Sequence, residues 1–243
     1  MESNSLLRNN EIKISDHISV YVPTVGEIYD MGEDEYYNIA QLLTCVPYDL
    51  MAQLDNMGID YEQITEYQLF VMLLQSFILN GKDISSVLRC DNLDGLKIME
   101  NTDSKEMLLV NDKDEVVINV MIQRQIAAAI RRIHFWKKTE YKAGNAEAKK
   151  YILERTKLKL KRAAKKPHHS FLDENIIALV NTEEFKYNYE SVMDLNIYKL
   201  NASIHQIVHK KNYDEMMMGV YFGTIDAKTL DMQKIHWMSS LHE

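Results

Sequence analysis

His205 and His209 stand four residues apart, the spacing that puts two imidazoles on one side of a helix. A metal site would need one or two further ligands, and none is suggested locally. The pair therefore reads as the polar flank of an amphipathic helix. His168 and His169 follow Pro167 and could meet a phosphate, but an exposed loop is the favoured reading. Glu183, Glu184 and Lys186 resemble the Glu-x-Lys end of a nuclease site. That chemistry also requires a metal-binding Asp on an adjacent sheet, and the nearest expected strands lie far upstream without a candidate. The glycine-rich phosphate loops, the nucleophile elbow and the His-Glu-x-x-His zinc motif are absent. Paired carboxylates can always be found among 36 acids, so their presence decides nothing. No catalytic residue, metal or cofactor is assigned, and the chain is expected to be non-enzymatic.

The stronger chemical signal is charge. The chain carries 36 Asp and Glu against 28 Lys and Arg, a formal net charge of −8. Between Arg124 and Lys166, however, there are 15 basic residues and 3 acidic ones. Clustered cations on a continuous surface are what a nucleic-acid phosphate backbone requires. Arg124, Arg131, Arg132, Lys157, Lys159, Lys161, Arg162, Lys165 and Lys166 are the candidate contacts, with Phe135, Trp136, Tyr141 and Tyr151 available to stack on bases. Two features argue against this reading. Leu158 and Leu160 alternate with lysines and so fall on different helical faces, and the rest of the chain is acidic enough to repel a polyanion. The expected role is a helical connector whose cations meet carboxylates of the same chain or of a second copy.

These residues need elements to hold them. Three prolines and eight glycines leave little turn punctuation and favour long helices. ISVYVP, residues 18–23, alternates like a short strand, and a turn is expected from Gly26 to Gly32. The run from Glu33 puts Tyr36, Ile39, Leu42 and Leu43 on one helical face. Pro47 is expected to open a helix lined by Leu50, Leu54 and Met57 and closed by Gly58. Thr65 caps a helix over 65–80 that is apolar on nearly every side, so it is expected to be the most buried. A short helix is expected from Asp83 to about Leu88, then two or three strands in hairpins over 96–118. From Asn119 a long helix carries Ile122, Ile126, Ile130 and Ile133 as a stripe, with Arg124, Arg131 and Lys138 on a solvated side. Gly144-Asn145 separates it from a second helix that stops before Pro167. Ser170 caps the next. Ile197, Leu200, Ile204, Ile207 and Val208 form a further stripe, and Gly219 and Gly223 are expected to loosen the MMMGVYFG segment after it. The fold class is mainly α: a helical N-terminal domain with a small β-hairpin element (1–118), a basic helical connector (119–169) and a helical C-terminal module (170–243).

The apolar run at 69–79 is about half the length that a membrane-spanning helix needs, so no membrane partner is expected. The N-terminal stretch is polar and lacks a signal-peptide core. Cys45 and Cys90 have no paired spacing and are expected to be buried thiols of a reducing cytoplasm. The C-terminal stretch from Val220 to Leu241 combines one glycine, three aromatics and two methionines. Flexible thioethers and aromatic rings suit an adaptable interface. Tyr221, Phe222 and Trp237 are the candidate partner-binding residues, and a role in the core is the alternative.

The order of segments carries a resemblance. VPTVGEIYDMGEDEYY leads into a helical region and a hairpin, followed by VMIQRQIAAAIRRIHFWKK, a basic helical arm, and MMMGVYFGTIDAKTLDMQKIHWM. This pattern resembles the tail assembly chaperones of tailed phages and prophages of Gram-positive bacteria. The resemblance implies a non-enzymatic protein of the host bacterial cytoplasm that binds the tape-measure protein, or another phage tail protein, and keeps it soluble. It rests on overall pattern without an invariant motif, so it carries no family binding residue over. A minor virion or baseplate component fits the same resemblance, and a phage DNA-binding protein using the basic arm is the alternative from another class.

Overall fold

The computed structural model describes residues 5–100, 107–111, 116–139, 144–165 and 169–239. Among them are nine α-helices and two small antiparallel sheets of three strands each, which makes the chain mainly helical.

The N-terminal sheet orders β1 (Glu11–Lys13), β2 (Ile18–Tyr21) and β3 (Leu88–Cys90) side by side. The strand expected near 18–23 is thus the centre of a sheet. Its alternation sends Ile18 and Val20 inward, and Val20 pairs with Ile12 on one side and Leu88 on the other. The helix expected from Asp83 is instead a turn followed by β3, because the apolar run Val87-Leu88 completes this sheet. The second sheet, β4 (Lys97–Glu100), β5 (Met107–Val110) and β6 (Val117–Ile118), agrees with the expected hairpins. The segments joining its strands, 101–106 and 112–115, lie outside the described residues.

The turn expected at Gly26–Gly32 is a helix, α1 (Val25–Met31). Its two glycines hid a capping box. The Thr24 hydroxyl accepts from the Glu27 N–H at 3.2 Å, and the Glu27 carboxylate accepts from the Thr24 N–H at 2.7 Å. α2 (Glu33–Thr44) follows as expected, with Tyr36, Ile39 and Leu43 buried. α3 (Met51–Asn56) is shorter than expected. It starts at Met51 rather than at Pro47, and it leaves Met57 exposed. α4 (Glu66–Leu79) has the expected Thr65 cap, completed by Gln68 as a capping box. It is not the most enclosed helix, however. Leu73 and Ile78 are half-buried and Leu79 is exposed, because α4 lies at the flank of the core.

The centre is α5 (Val120–His134). Ile126, Ile130 and Ile133 are buried, and Ala127 and Ala129 let neighbours approach closely. It packs against α2, β2, α4, β6 and α8 (Ile197–Tyr221). It ends where Phe135 turns into the left-handed region at φ 56°. After the linker comes α6 (Ala146–Ala163), capped by Asn145, which has no buried residue at all. α7 (Phe171–Val180) is capped by Ser170 as expected. The Ser170 hydroxyl also donates to Glu33, whose other oxygen accepts from the Leu172 N–H at 3.0 Å. One carboxylate thus stands at the positive ends of both α2 and α7.

The start of α8 is riveted to the N-terminal region. Val25 N–H donates to Leu195 O at 2.9 Å, and Ile197 N–H donates to Pro23 O at 2.8 Å. Between them the buried Asn196 amide donates to Leu6 O and to the Asn10 side chain at 3.2 and 3.0 Å, and its oxygen caps the helix at Lys199 N–H. A single apolar cluster accordingly draws residues from all three expected segments, from Leu6 through Ile130 to Leu200. A smaller cluster, Met51, Leu54, Tyr61 and Leu69, receives Ile152 and Leu153 of α6.

Candidate functional site

Beyond Asn201, α8 leaves the core. At 1.5 Å per residue its 25 residues span about 37 Å. Ile204 and Ile207 still touch the main cluster, whereas Val208 is exposed, so the expected stripe serves packing only along its first part. The expected loosening at Gly219 does not occur, because the helix runs through to Tyr221. Gly219 instead serves close approach: a Cβ there would stand 2.7 Å from Ile225 Cδ1. Its carbonyl accepts from Thr224 and Ile225 N–H at 2.9 and 3.2 Å, which starts the reversal of the chain. Gly223 completes that reversal at φ 72°, a conformation that side chains disfavour.

The returning tail, with a short helix α9 (Met232–Ile235), lies back along α8 through polar contacts. Gln206 donates to Trp237 O at 2.6 Å. His209 Nε2 lies 2.9 Å from His236 O and 3.0 Å from Ser239 Oγ. His205 stacks on Phe135 with ring centres 4.6 Å apart. The two histidines of the possible metal pair are therefore engaged with different neighbours, and among the described residues no three His, Cys, Asp or Glu side chains gather as metal ligands.

The result is an arm, 202–239, in which none of the described residues is buried. Tyr221 is 85% exposed and Phe222 70%, with the two rings edge to face at 5.5 Å. Met218 and Met238 are also exposed. Trp237 is less open, at 39%, and stacks on His236. Tyr221 and Phe222 are thus not core residues in this chain, while Trp237 sits partly against its own arm.

The basic residues divide among several roles. Arg131 does not face solvent as expected. Its guanidinium donates to Thr44 O at the negative end of α2. Arg124 and Arg132 are exposed on α5. Lys138 pairs with Glu66 at 2.6 Å. Lys149 reaches Asp60 at 2.6 Å and Glu62 at 2.7 Å, and Lys157 pairs with Asp55. Hydrogen bonds from Lys149 hold the Asp60 carboxyl below its usual range, and the same bonds to Asp60 and Glu62 raise the Lys149 ammonium. Lys159, Lys161 and Arg162 are exposed on α6, Lys165 is exposed in the turn after it, and Lys166 lies outside the described residues.

Of the aromatics that might have stacked on bases, Phe135 is taken by Tyr198 and His205, and Trp136 by His134, with ring centres 4.4 Å apart. Tyr151 is exposed, and Tyr141 lies outside the described residues. His134 is itself buried, 3.0 Å from the Tyr36 hydroxyl, and burial pushes its pKa down to about 3.

An open groove of about 820 Å³ lies between Tyr48, Tyr61 and the start of α6, but its charges, Lys138 with Glu66 and Lys149 with Glu62, neutralise one another. The Glu183–Lys186 fragment is a turn after α7, in which Lys186 donates to Glu183 O at 2.8 Å, and no strand adjoins it among the described residues. His169 is exposed, while His168 lies outside the described residues. Cys45 and Cys90 are free and half-buried rather than fully enclosed. Desolvation pushes their thiols up to about 12 and about 11, so neither is a ready nucleophile.

The comparison with known families falls on the arm and its base. Residues 164–242 match the family described as the YomV second domain. This is a phage-derived family. It takes its name from a protein of a Bacillus prophage, and the match points to a phage protein. The matched stretch contains α7, α8 and the exposed arm, and leaves out α1 to α6. No curated protein and no solved structure matches the chain. No described helix is long and apolar enough to cross a membrane.

Proposed function

We propose that this chain is a non-enzymatic phage morphogenesis protein that holds an aggregation-prone partner in the host cytoplasm, in the manner of a tail assembly chaperone acting on a tape-measure protein. The observation that carries the reading is the arm. A protein with a well-formed core nevertheless displays Met218, Tyr221, Phe222 and Met238 to solvent on a helical hairpin. Exposed apolar residues gathered like Met218, Tyr221 and Phe222 at the end of α8 mark interaction surfaces. Thioethers adapt to varied client segments, and rings anchor them. Hydrogen bonds help hold the tail to α8, while Met218, Tyr221, Phe222 and Met238 stay exposed for a partner. The match to a phage-derived family over this segment supports the setting.

The test is co-expression with the tape-measure protein of the same phage. The full chain is expected to raise the soluble fraction of the client, and a chain lacking 216–243 is expected to lose that effect while retaining its melting transition. Unchanged client solubility with the shortened chain would remove the arm from the function.

A further inference from the structure

The face of α6 that points away from the protein repeats the composition of the face that packs on it. On the inner side Ile152 and Leu153 seat against Met51, Leu54, Tyr61 and Leu69. Lys149 and Lys157 reach the carboxylates of Asp60, Glu62 and Asp55 around them. The occupant of that inner face is therefore a short amphipathic helix, α3, with acids at its edge. On the outer side Tyr151 and Leu158 are 64% and 56% exposed. Positions 151, 155, 158 and 162 fall in one stripe along the helix, so Arg155 and Arg162 interleave with these two apolar residues, and Lys165 follows in the turn after the helix. Lys161 flanks the stripe. Among the described residues no carboxylate pairs with Arg155, Lys161, Arg162 or Lys165.

We propose that the outer face of α6 binds an acidic amphipathic helix of a partner protein. Charge complementarity fixes the sign of the partner. Two apolar anchors seven residues apart fix its form, because a helix laid along α6 presents its own apolar side chains at that interval. A nucleic acid would use the cations alone and would leave Leu158 without a role. It would also meet the strongly acidic remainder of the chain. This surface is separate from the arm, and its partner need not be the client held there.

The probe is a peptide of about 20 residues built from Glu and Leu, with the leucines in one helical stripe. It is compared with a peptide of the same composition in scrambled order, and with single-stranded and duplex DNA near physiological salt. The striped peptide is expected to bind the full-length chain about tenfold or more tighter than the scrambled one, and tighter than DNA. Leu158→Ala and Tyr151→Ala, both at exposed positions, are each expected to weaken it about tenfold. The double change Arg155→Glu, Arg162→Glu is expected to abolish it, and removal of 216–243 to leave it unchanged. Equal binding of the two peptides would reduce the surface to charge alone and overturn the proposal. So would tighter, steeply salt-dependent binding of DNA, or no binding of the striped peptide.

Discussion

α5 and α6 are both cationic helices from one basic stretch, yet one became the centre of the core and the other an outlying arm. The difference lies in the arrangement of their apolar residues. In α5 the isoleucines at 126, 130 and 133 and the alanines at 127 and 129 share a broad face, so burying it removes a continuous surface from water. Its cations are left at the margin, where Arg131 finds the end of α2. In α6 the apolar residues are split. Ile152 and Leu153 cover α3, while Tyr151 and Leu158 are left outside. Positive charge does not distinguish a core helix from an arm, whereas the width of the apolar face does.

The contrast is most exposed to mutation at its apolar ends. Ile130→Ala is expected to cost about 2–5 kcal/mol in denaturant unfolding, the range for an enclosed aliphatic side chain. Leu158→Ala in α6 should cost less than about 0.5 kcal/mol. Similar losses at both sites would break the comparison.

Acid sharpens it next. The His134 imidazole at the end of α5 is held neutral down to about pH 3, whereas an unfolded chain takes up that proton near 6.5. The unfolded state then binds more protons, so the contribution of His134 to stability is complete above about pH 6.5 and falls as pH drops toward 3. Between about pH 6.5 and about pH 4.5 the loss should approach about 2–3 kcal/mol, and His134→Gln should flatten the slope by about one proton. An unchanged slope would mean that the imidazole titrates normally and is not enclosed.

Smaller effects separate the cations. Arg131→Ala should cost about 1–2 kcal/mol, because it strips a charged donor from the partly buried carbonyl that ends α2. Lys157→Ala, which breaks an exposed pair with Asp55, should cost about 0.5 kcal/mol or less and even less in high salt.

Much of this frame was legible in the residues. Thr65 and Ser170 announced two helix starts through side chains that can accept from the first turn. Alternation at 18–23, and short apolar runs around polar turn residues at 96–118, announced strands. The hidden parts depended on partners far along the chain. β1 and β3 are three residues each and become strands only by pairing with β2. α1 looked like a turn because Gly26 and Gly32 outweighed a capping box between Thr24 and Glu27. The run at 69–79 suggested the core centre by composition, but α4 ended at its flank because α5 offered the broader apolar face. At the candidate sites, Tyr221 and Phe222 were visible as an unusual aromatic and Met-rich stretch, although their exposure was not. The partners of Lys149 and Lys157, near residues 55–62, could not be read without the fold. The stripe of Tyr151, Arg155, Leu158 and Arg162 was present in the spacing, but the density of charge around it masked its two apolar members.

Client binding by the exposed arm of an otherwise folded protein is the central claim. The direct measurement uses one variant, Tyr221→Asp with Phe222→Asp, and records two quantities: its melting temperature and its capture of the same-phage tape-measure protein. Because both rings are exposed, the melting temperature should stay close to that of the parent chain, while capture should weaken by about 2 kcal/mol or more, as expected for removing aromatic anchors. A variant that melts normally and captures the client as tightly as the parent chain would contradict that claim.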